Sequence, residues 1–127
     1  MTSRRPFPWI LAAVLDVVLI VAFAAIGMVN HEGGFTVPGL VGVAWPFLVG
    51  AGVGWIVCLA WRVPAAPLRV GLPVWILAVA LGMGLRVVTG GGFAVSFLLV
   101  TAVVLAAFLV GWRAIAALVA RIRDRRR

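Results

Sequence analysis

Residues 9–26 read WILAAVLDVVLIVAFAAI, an apolar run of helix-forming residues that contains a single charged side chain, Asp16. Such a run, with the apolar residues that flank it, has about the 20 residues that a membrane-spanning helix needs. A carboxylate at that depth is costly unless a partner or a water-filled cavity receives it, so Asp16 indicates a site. The sequence therefore predicts a membrane span, together with a partner or a water-filled cavity for Asp16 elsewhere in the protein.

Three further apolar runs follow in the 127-residue chain, of which 65% is hydrophobic and only 11% charged. We predict a single all-α transmembrane domain over residues 1–127, an up-down-up-down bundle of four helices joined by short connections. The halves echo each other in Pro8–Ala12 and Pro73–Ala78, a pattern that either a duplicated helical hairpin or chance among apolar residues would produce. The predicted spans are 8–29, 40–61, 70–88 and 93–114, before a basic tail at 121–127.

The net charge of +8 comes from arginines that cluster at the ends of the spans. Such clustering indicates membrane topology rather than a nucleic-acid surface, so no nucleic-acid partner is expected. The connections near residues 31–34 and 89–92 carry no Lys or Arg. By the positive-inside rule, both termini of this multi-pass cell-membrane protein are expected in the cytoplasm, with Trp61-Arg62 and Trp112-Arg113 as interfacial anchors.

Arg86 is the second charge inside a predicted span and the favoured partner of Asp16. If the two pair, both stay ionised; if Arg86 instead snorkels outward to Glu32 or the headgroups, Asp16 is driven towards its neutral form, as a proton carrier requires. Helical spacing places Asn30 and His31 near the face of the first helix that carries Asp16. Glu32 follows them in the outer loop. We therefore predict an intramembrane polar site of Asp16, Arg86, Asn30 and His31.

Small residues at intervals of four form a smooth stripe along the second span, with Gly42, Gly50 and Gly54 as its glycines. A stripe of this kind lets helix backbones approach closely. The partner is either the first or third span of the same chain or a second copy of it. Homo-oligomers and larger membrane complexes are therefore both compatible with the sequence, besides the lipid bilayer itself.

Catalytic and metal-binding patterns are missing from the sequence. The single histidine has no paired nucleophile, Lys and Tyr do not occur, and His31, Glu32 and Asp16 are too far apart for a metal site. We expect no enzyme activity and no cofactor.

Several short motifs together resemble the membrane proteins grouped as domain of unknown function 3054. The motifs are an early-helix Asp, an outer Gly-to-His stretch, a Gly-x-x-Leu-Arg third helix and a closing Gly-Trp-Arg. In this chain they correspond to Asp16, Gly27 to His31, Gly82 to Arg86, and Gly111 to Arg113. The resemblance covers nearly the whole chain, implies a four-helix membrane protein and supplies no activity.

Two functions follow from this reading. The first is a conduit or carrier for protons, ions or a small polar solute that uses the Asp/Arg site, because opposite intramembrane charges are costly to keep for packing alone. The second is a non-transporting membrane scaffold or accessory subunit, in which the Asp-Arg pair is structural. A closed pair favours the scaffold, and an open wet cavity favours transport.

Overall fold

A computed structural model describes residues 7–29 and 36–126 of the chain, and it is helical throughout these ranges apart from short connections. The helices are α1 (Trp9–Val29), α2 (Val37–Val57), α3 (Leu72–Val88), α4 (Val95–Leu105) and α5 (Gly111–Arg125). A π-helical turn, Pro67–Gly71, precedes α3, and another, Ala106–Val110, joins α4 to α5.

Within the described residues, four helical segments are long and apolar enough to cross a membrane. They are Trp9–Met28, Val37–Val57, Pro67–Val88 and Val95–Arg125. The predicted class, an all-α membrane protein with four spanning helices, is confirmed. The up-down order of the helices, the hairpin duplication and the cytoplasmic termini stay predictions.

The helix bounds differ from the predicted spans where local backbone chemistry intervenes. Thr36 caps α2 by accepting a hydrogen bond from the Gly39 amide at 3.1 Å, so α2 begins at Val37 rather than residue 40. It ends at Val57 rather than residue 61, because Leu59 adopts a left-handed conformation with φ of 52°. The last helix continues to Arg125, well beyond the predicted end at residue 114.

The closest helix pair is α2 with α3, and two glycines make its close approach sterically feasible. A Cβ on Gly50 would lie 2.5 Å from the carbonyl oxygen of Leu77, and one on Gly54 would lie 2.8 Å from the Cα of Val74. Backbones at this distance gain dispersion contacts, which stabilise helix pairs where lipid supplies no hydrophobic drive. The smooth stripe of α2 is thus used inside the chain, against the third span.

Gly42 was predicted as a member of the same stripe, but it takes no part in the close contact between α2 and α3. It is exposed, and a Cβ there would meet no atom within 4 Å. Residues eight apart on a helix differ by about 80° in direction, so a four-residue repeat drifts off one face. Gly42 therefore points away from the contact that Gly50 and Gly54 make.

An aromatic cluster fills the core between the helices. The ring of Phe47, on α2, lies 5.7 Å from that of Phe23 and 6.2 Å from that of Phe97. The indole of Trp75 donates to the carbonyl oxygen of Ala102 at 2.9 Å, which ties α3 to α4. These contacts hold α1 and α4 against the α2–α3 pair and so position the polar side chains that these helices carry.

Candidate functional site: a buried Asp16–Arg113 clasp and an Arg86 cavity

Asp16 lies in the first half of α1, is only 3% exposed and is fully occupied by hydrogen bonds. Arg113 donates from Nη1 to Oδ1 at 2.9 Å and from Nη2 to Oδ2 at 2.6 Å, so the two side chains form a bidentate ion pair. The indole of Trp112 donates to Oδ1 at 2.9 Å, and that of Trp55 donates to Oδ2 at 2.8 Å. Each carboxylate oxygen thus accepts two charge-assisted hydrogen bonds, which offsets the cost of burying it.

Arg113 is completely buried, and all three of its guanidinium nitrogens donate hydrogen bonds. Besides the two bonds to Asp16, Nε donates to the carbonyl oxygen of Pro64 at 2.8 Å and Nη1 to that of Leu109 at 2.9 Å. The guanidinium also lies over the Trp112 ring, with Cζ 4.6 Å from the ring centre. A buried charge is tolerated only when it is paired and hydrogen-bonded in this way.

We call this group the clasp: the side chains of Asp16, Trp55, Trp112 and Arg113 with the carbonyl groups of Pro64 and Leu109. It joins α1, α2, α5, the connection between α2 and α3, and the π turn before α5. A single ion pair thereby fixes the relative positions of elements that are far apart in the sequence.

The π turn Ala106–Val110 helps to direct Arg113 towards α1. The amide of Gly111 bonds to the carbonyl of Ala106, five residues back instead of four. Such an insertion rotates the residues after it by about 100° relative to an uninterrupted α-helix. On the opposite side, Gly71 leaves room for the arginine, since a Cβ there would lie 3.2 Å from Arg113 Cδ.

The predicted pairing of Asp16 with Arg86 is wrong, because Arg113 holds Asp16 and Arg86 lies much further along its own helix. The third spanning helix begins at Pro67, not residue 70, so Arg86 is about 28 Å from its start, whereas Asp16 is about 10 Å from the start of α1 at Trp9. The α1 residues that line the same cavity as Arg86 are Phe23, Gly27 and Met28. They lie about 10–18 Å along the helix from Asp16, and Asp16 is not among the lining residues.

Arg86 instead lines a half-open cavity of about 630 Å³, which we call the Arg86 cavity. Its guanidinium Cζ lies 4.5 Å from the centre of the Phe97 ring. Described residues in its walls come from the end of α1, the beginning of α2, the end of α3 and the beginning of α4. None of the described lining residues belongs to the clasp.

The remaining predicted site residues fall into two groups. Asn30, His31 and Glu32 lie outside the described residues. Trp61 and Arg62 are exposed in a short 3₁₀ helix, Ala60–Arg62, a placement that leaves their predicted role as interfacial anchors open.

Trp112 and Arg113 were interpreted as interfacial anchors, and for Arg113 this is wrong: it is 0% exposed and holds Asp16. The error came from ending the fourth span at residue 114, which placed Arg113 at a helix end. A signal for the true partner was present, since the family resemblance included both Asp16 and the closing Gly111-Trp112-Arg113. Trp55 carried no comparable signal, because tryptophans in an apolar helix are read as lipid-facing or core residues.

Comparison with known proteins supports the resemblance. The family model described as "Protein of unknown function (DUF3054)" matches residues 13–116. The chain belongs to this family. No curated protein and no solved structure matches it. The matched range of this DUF3054 member contains every clasp residue as well as Arg86, so both sites lie within the part of the chain that defines the family.

In the clasp, both carboxylate oxygens and all three guanidinium nitrogens already have hydrogen-bond partners, and the ion pair is buried. Across residues 7–29 and 36–126, no three His, Cys, Asp or Glu side chains come together as metal ligands. In this DUF3054 protein, the charged group that is free to meet a ligand among the described parts of the two sites is the guanidinium of Arg86.

Proposed function

We propose that this protein is a non-transporting membrane scaffold or accessory subunit whose Asp16–Arg113 pair is structural. The observation that carries the proposal is the saturation of the pair, in which each oxygen of Asp16 accepts two hydrogen bonds from Arg113, Trp55 and Trp112. A buried, fully bonded pair of this type is well suited to fixing helix register.

A proton or ion carrier needs a carboxylate that can exchange its partner for water or cargo. To release Asp16 from the clasp, two arginine bonds and two indole bonds must break together in an apolar surrounding, where unpaired polar groups are costly. This cost argues against Asp16 as a transport residue. It favours a role in which the four helices hold a constant arrangement and present a constant surface.

The topology that goes with this proposal has both termini in the cytoplasm of a cell-membrane protein. It is supported by the arginines at both ends of the chain and in the connection between α2 and α3, and by the lack of Lys and Arg in residues 31–34 and 89–92. Reporter domains fused to each terminus are expected to report a cytoplasmic location. The partner we propose is another membrane protein or a second copy of this chain, with no enzymatic reaction involved.

Flux measurement tests the proposal directly. The purified wild-type chain in liposomes is expected to give proton and ion flux equal to that of protein-free liposomes, and Asp16→Asn is expected to leave that baseline unchanged. Flux that requires the wild-type protein would refute the non-transporting role, and its persistence in a folded Asp16→Asn variant would show that Asp16 does not carry it. Size-exclusion chromatography of a mild-detergent membrane extract supplies the positive arm: a discrete assembly larger than one chain is expected, and a monomer argues against the scaffold.

A conduit or carrier is the second candidate, and the Arg86 cavity is the observation that favours it. With Asp16 held in the clasp, such a protein would depend on Arg86 as its charge. Flux that is lost in Arg86→Gln but retained in Arg113→Lys would support this candidate over the scaffold.

A further inference from the structure

The Arg86 cavity has the size and lining of a site for an amphipathic molecule. Its volume of about 630 Å³ falls within the range of about 300–1,000 Å³ that is usual for ligand pockets. Most of the described lining is apolar, with Phe23, Phe93, Phe97 and Val100 among its side chains, and Arg86 supplies the positive charge. A molecule that fills it needs an apolar body and an anionic group.

The guanidinium of Arg86 is arranged to receive an anion. It lies over the face of Phe97 at 4.5 Å from the ring centre, a contact that leaves the N–H groups in the guanidinium plane free to donate. Within the described residues it has no carboxylate partner. Arg86 is partly buried, so solvent screens its charge less than it would on an open surface.

The cavity is also at the level where lipid headgroups lie. Its walls come from the last turn of α1 around Gly27, from Arg86 in the last turn of α3, and from the first residues of α4. Helices of this length end close to the border of the hydrocarbon core. Phe93 and Val100 are more than half exposed, so the apolar wall is open towards the acyl chains of the bilayer.

We propose that the Arg86 cavity binds an acidic phospholipid, with the phosphate on the guanidinium of Arg86 and an acyl chain against Phe93, Phe97 and Val100. A phosphate suits arginine because its oxygens accept two parallel N–H bonds. A zwitterionic headgroup brings its own cation, which competes with Arg86, whereas an acidic headgroup without an amine does not. This site is separate from the clasp and does not depend on the proposed function.

The test measures which lipid the purified full-length protein retains from nanodiscs containing equal amounts of phosphatidylglycerol and phosphatidylcholine, by native mass spectrometry. The wild type is expected to retain phosphatidylglycerol, and Arg86→Gln to weaken that retention about tenfold, the scale of one lost charge-assisted contact. Arg62→Gln removes the same charge from an exposed site outside the cavity and is expected to have no such effect.

A second matched pair tests the cavity rather than the charge. Gly27 and Gly84 both have space for a Cβ, but only Gly27 lines the cavity. Gly27→Leu is expected to fill the cavity and reduce retention of phosphatidylglycerol, while Gly84→Leu leaves it unchanged. Helix content and elution volume of all four variants confirm that the bundle remains folded.

Several outcomes overturn the proposal. These are equal retention of the two lipids by the wild type, an equal loss in Arg86→Gln and Arg62→Gln, or an equal loss in the two glycine variants. A separate measurement distinguishes a lipid phosphate from free phosphate: the midpoint of thermal unfolding of the protein in nanodiscs. Inorganic phosphate added to nanodiscs of phosphatidylcholine alone is expected not to raise this midpoint. A rise equal to that produced by phosphatidylglycerol would assign the site to free phosphate. If Glu32→Gln raised the retention of phosphatidylglycerol by as much as Arg86→Gln lowered it, Glu32 would be shown to compete with the lipid for the guanidinium of Arg86.

Discussion

Two arginines of the spanning segments, Arg113 and Arg86, have opposite surroundings. Arg113 is completely buried and each of its guanidinium nitrogens donates to a described acceptor, whereas Arg86 is partly exposed and stacks on Phe97 beside an open cavity. One site is closed around its charge and the other is open. The comparison teaches that the same side chain serves as a structural clasp or as a binding group according to how many acceptors the fold places around it.

The difference is energetic as well as geometric. In the clasp, the free energy of desolvating two charges is offset by their attraction and by the additional hydrogen bonds from Trp55, Trp112 and the backbone. Around Arg86 the described residues provide a ring face and no carboxylate. Mutations in the clasp are therefore expected to change mainly the stability of the protein. Mutations in the Arg86 cavity are expected to change mainly its ligand binding.

The largest expected effect is that of Asp16→Asn. It leaves the Arg113 guanidinium buried without a counter-charge, which costs about 3–5 kcal/mol of unfolding free energy in comparable buried pairs. Titration with sodium dodecyl sulfate in mixed micelles, followed by circular dichroism, measures the loss.

The double variant Asp16→Asn with Arg113→Gln supplies the control, because it removes both charges. It is expected to be more stable than Asp16→Asn alone, since no unpaired charge remains buried. Additive losses in the two single variants would contradict the clasp, because residues in one network couple and distant ones do not.

Trp55→Phe is expected to have the next largest effect. It removes one of the two indole donors to Asp16 and costs about 1.5–3 kcal/mol, the usual range for hydrogen bonds to charged groups. Trp75→Phe is the matched control, because its indole donates to the neutral carbonyl of Ala102 and its loss is expected to cost only about 0.5–1.5 kcal/mol. Equal losses of unfolding free energy in the two variants would mean that the hydrogen bond from Trp55 is not strengthened by the negative charge of Asp16.

The packing at the two sites is compared by the variants Gly71→Leu, beside Arg113 in the clasp, and Gly27→Leu, in the lining of the Arg86 cavity. A side chain at Gly71 meets Arg113 Cδ at 3.2 Å and the Cα of Val110 at 3.4 Å, and overpacking of this kind costs about 1–3 kcal/mol. Gly27 has open space, so Leu there is expected to leave stability unchanged or raise it slightly through better helix propensity. Thermal unfolding in detergent measures both, and a larger loss in Gly27→Leu would reverse the comparison.

Among the variants expected to lose stability, Arg86→Gln is expected to lose the least. Its described contact is the stacking on Phe97, and partly exposed cation–π contacts contribute about 0.5–1 kcal/mol. The same detergent titration, without acidic lipid, measures it. A loss as large as that of Asp16→Asn would mean that Arg86 is a structural residue and that the two arginines are not different in kind.

Four spanning helices and a costly intramembrane carboxylate could be predicted from the sequence, because apolar length and the price of a charge in lipid are local properties. The resemblance that led to the family was carried by short motifs in the right order. Gly50 and Gly54 were assigned to close helix contact on spacing alone, and the neighbouring α3 backbone accounts for both.

The partner of Asp16 could not be predicted in the same way, because it depends on the relative heights and rotations of helices far apart in the chain. Arg86 was predicted as the partner with a third span that begins at residue 70, but that helix begins at Pro67 and carries Arg86 further along. The π turn at Ala106–Val110 and the space at Gly71 instead bring Arg113 to Asp16. The sequence by itself determined that the chain crosses a membrane and must satisfy a buried carboxylate; the tertiary structure decided that Arg113 does so, because ion pairing depends on distances of a few ångström between helices.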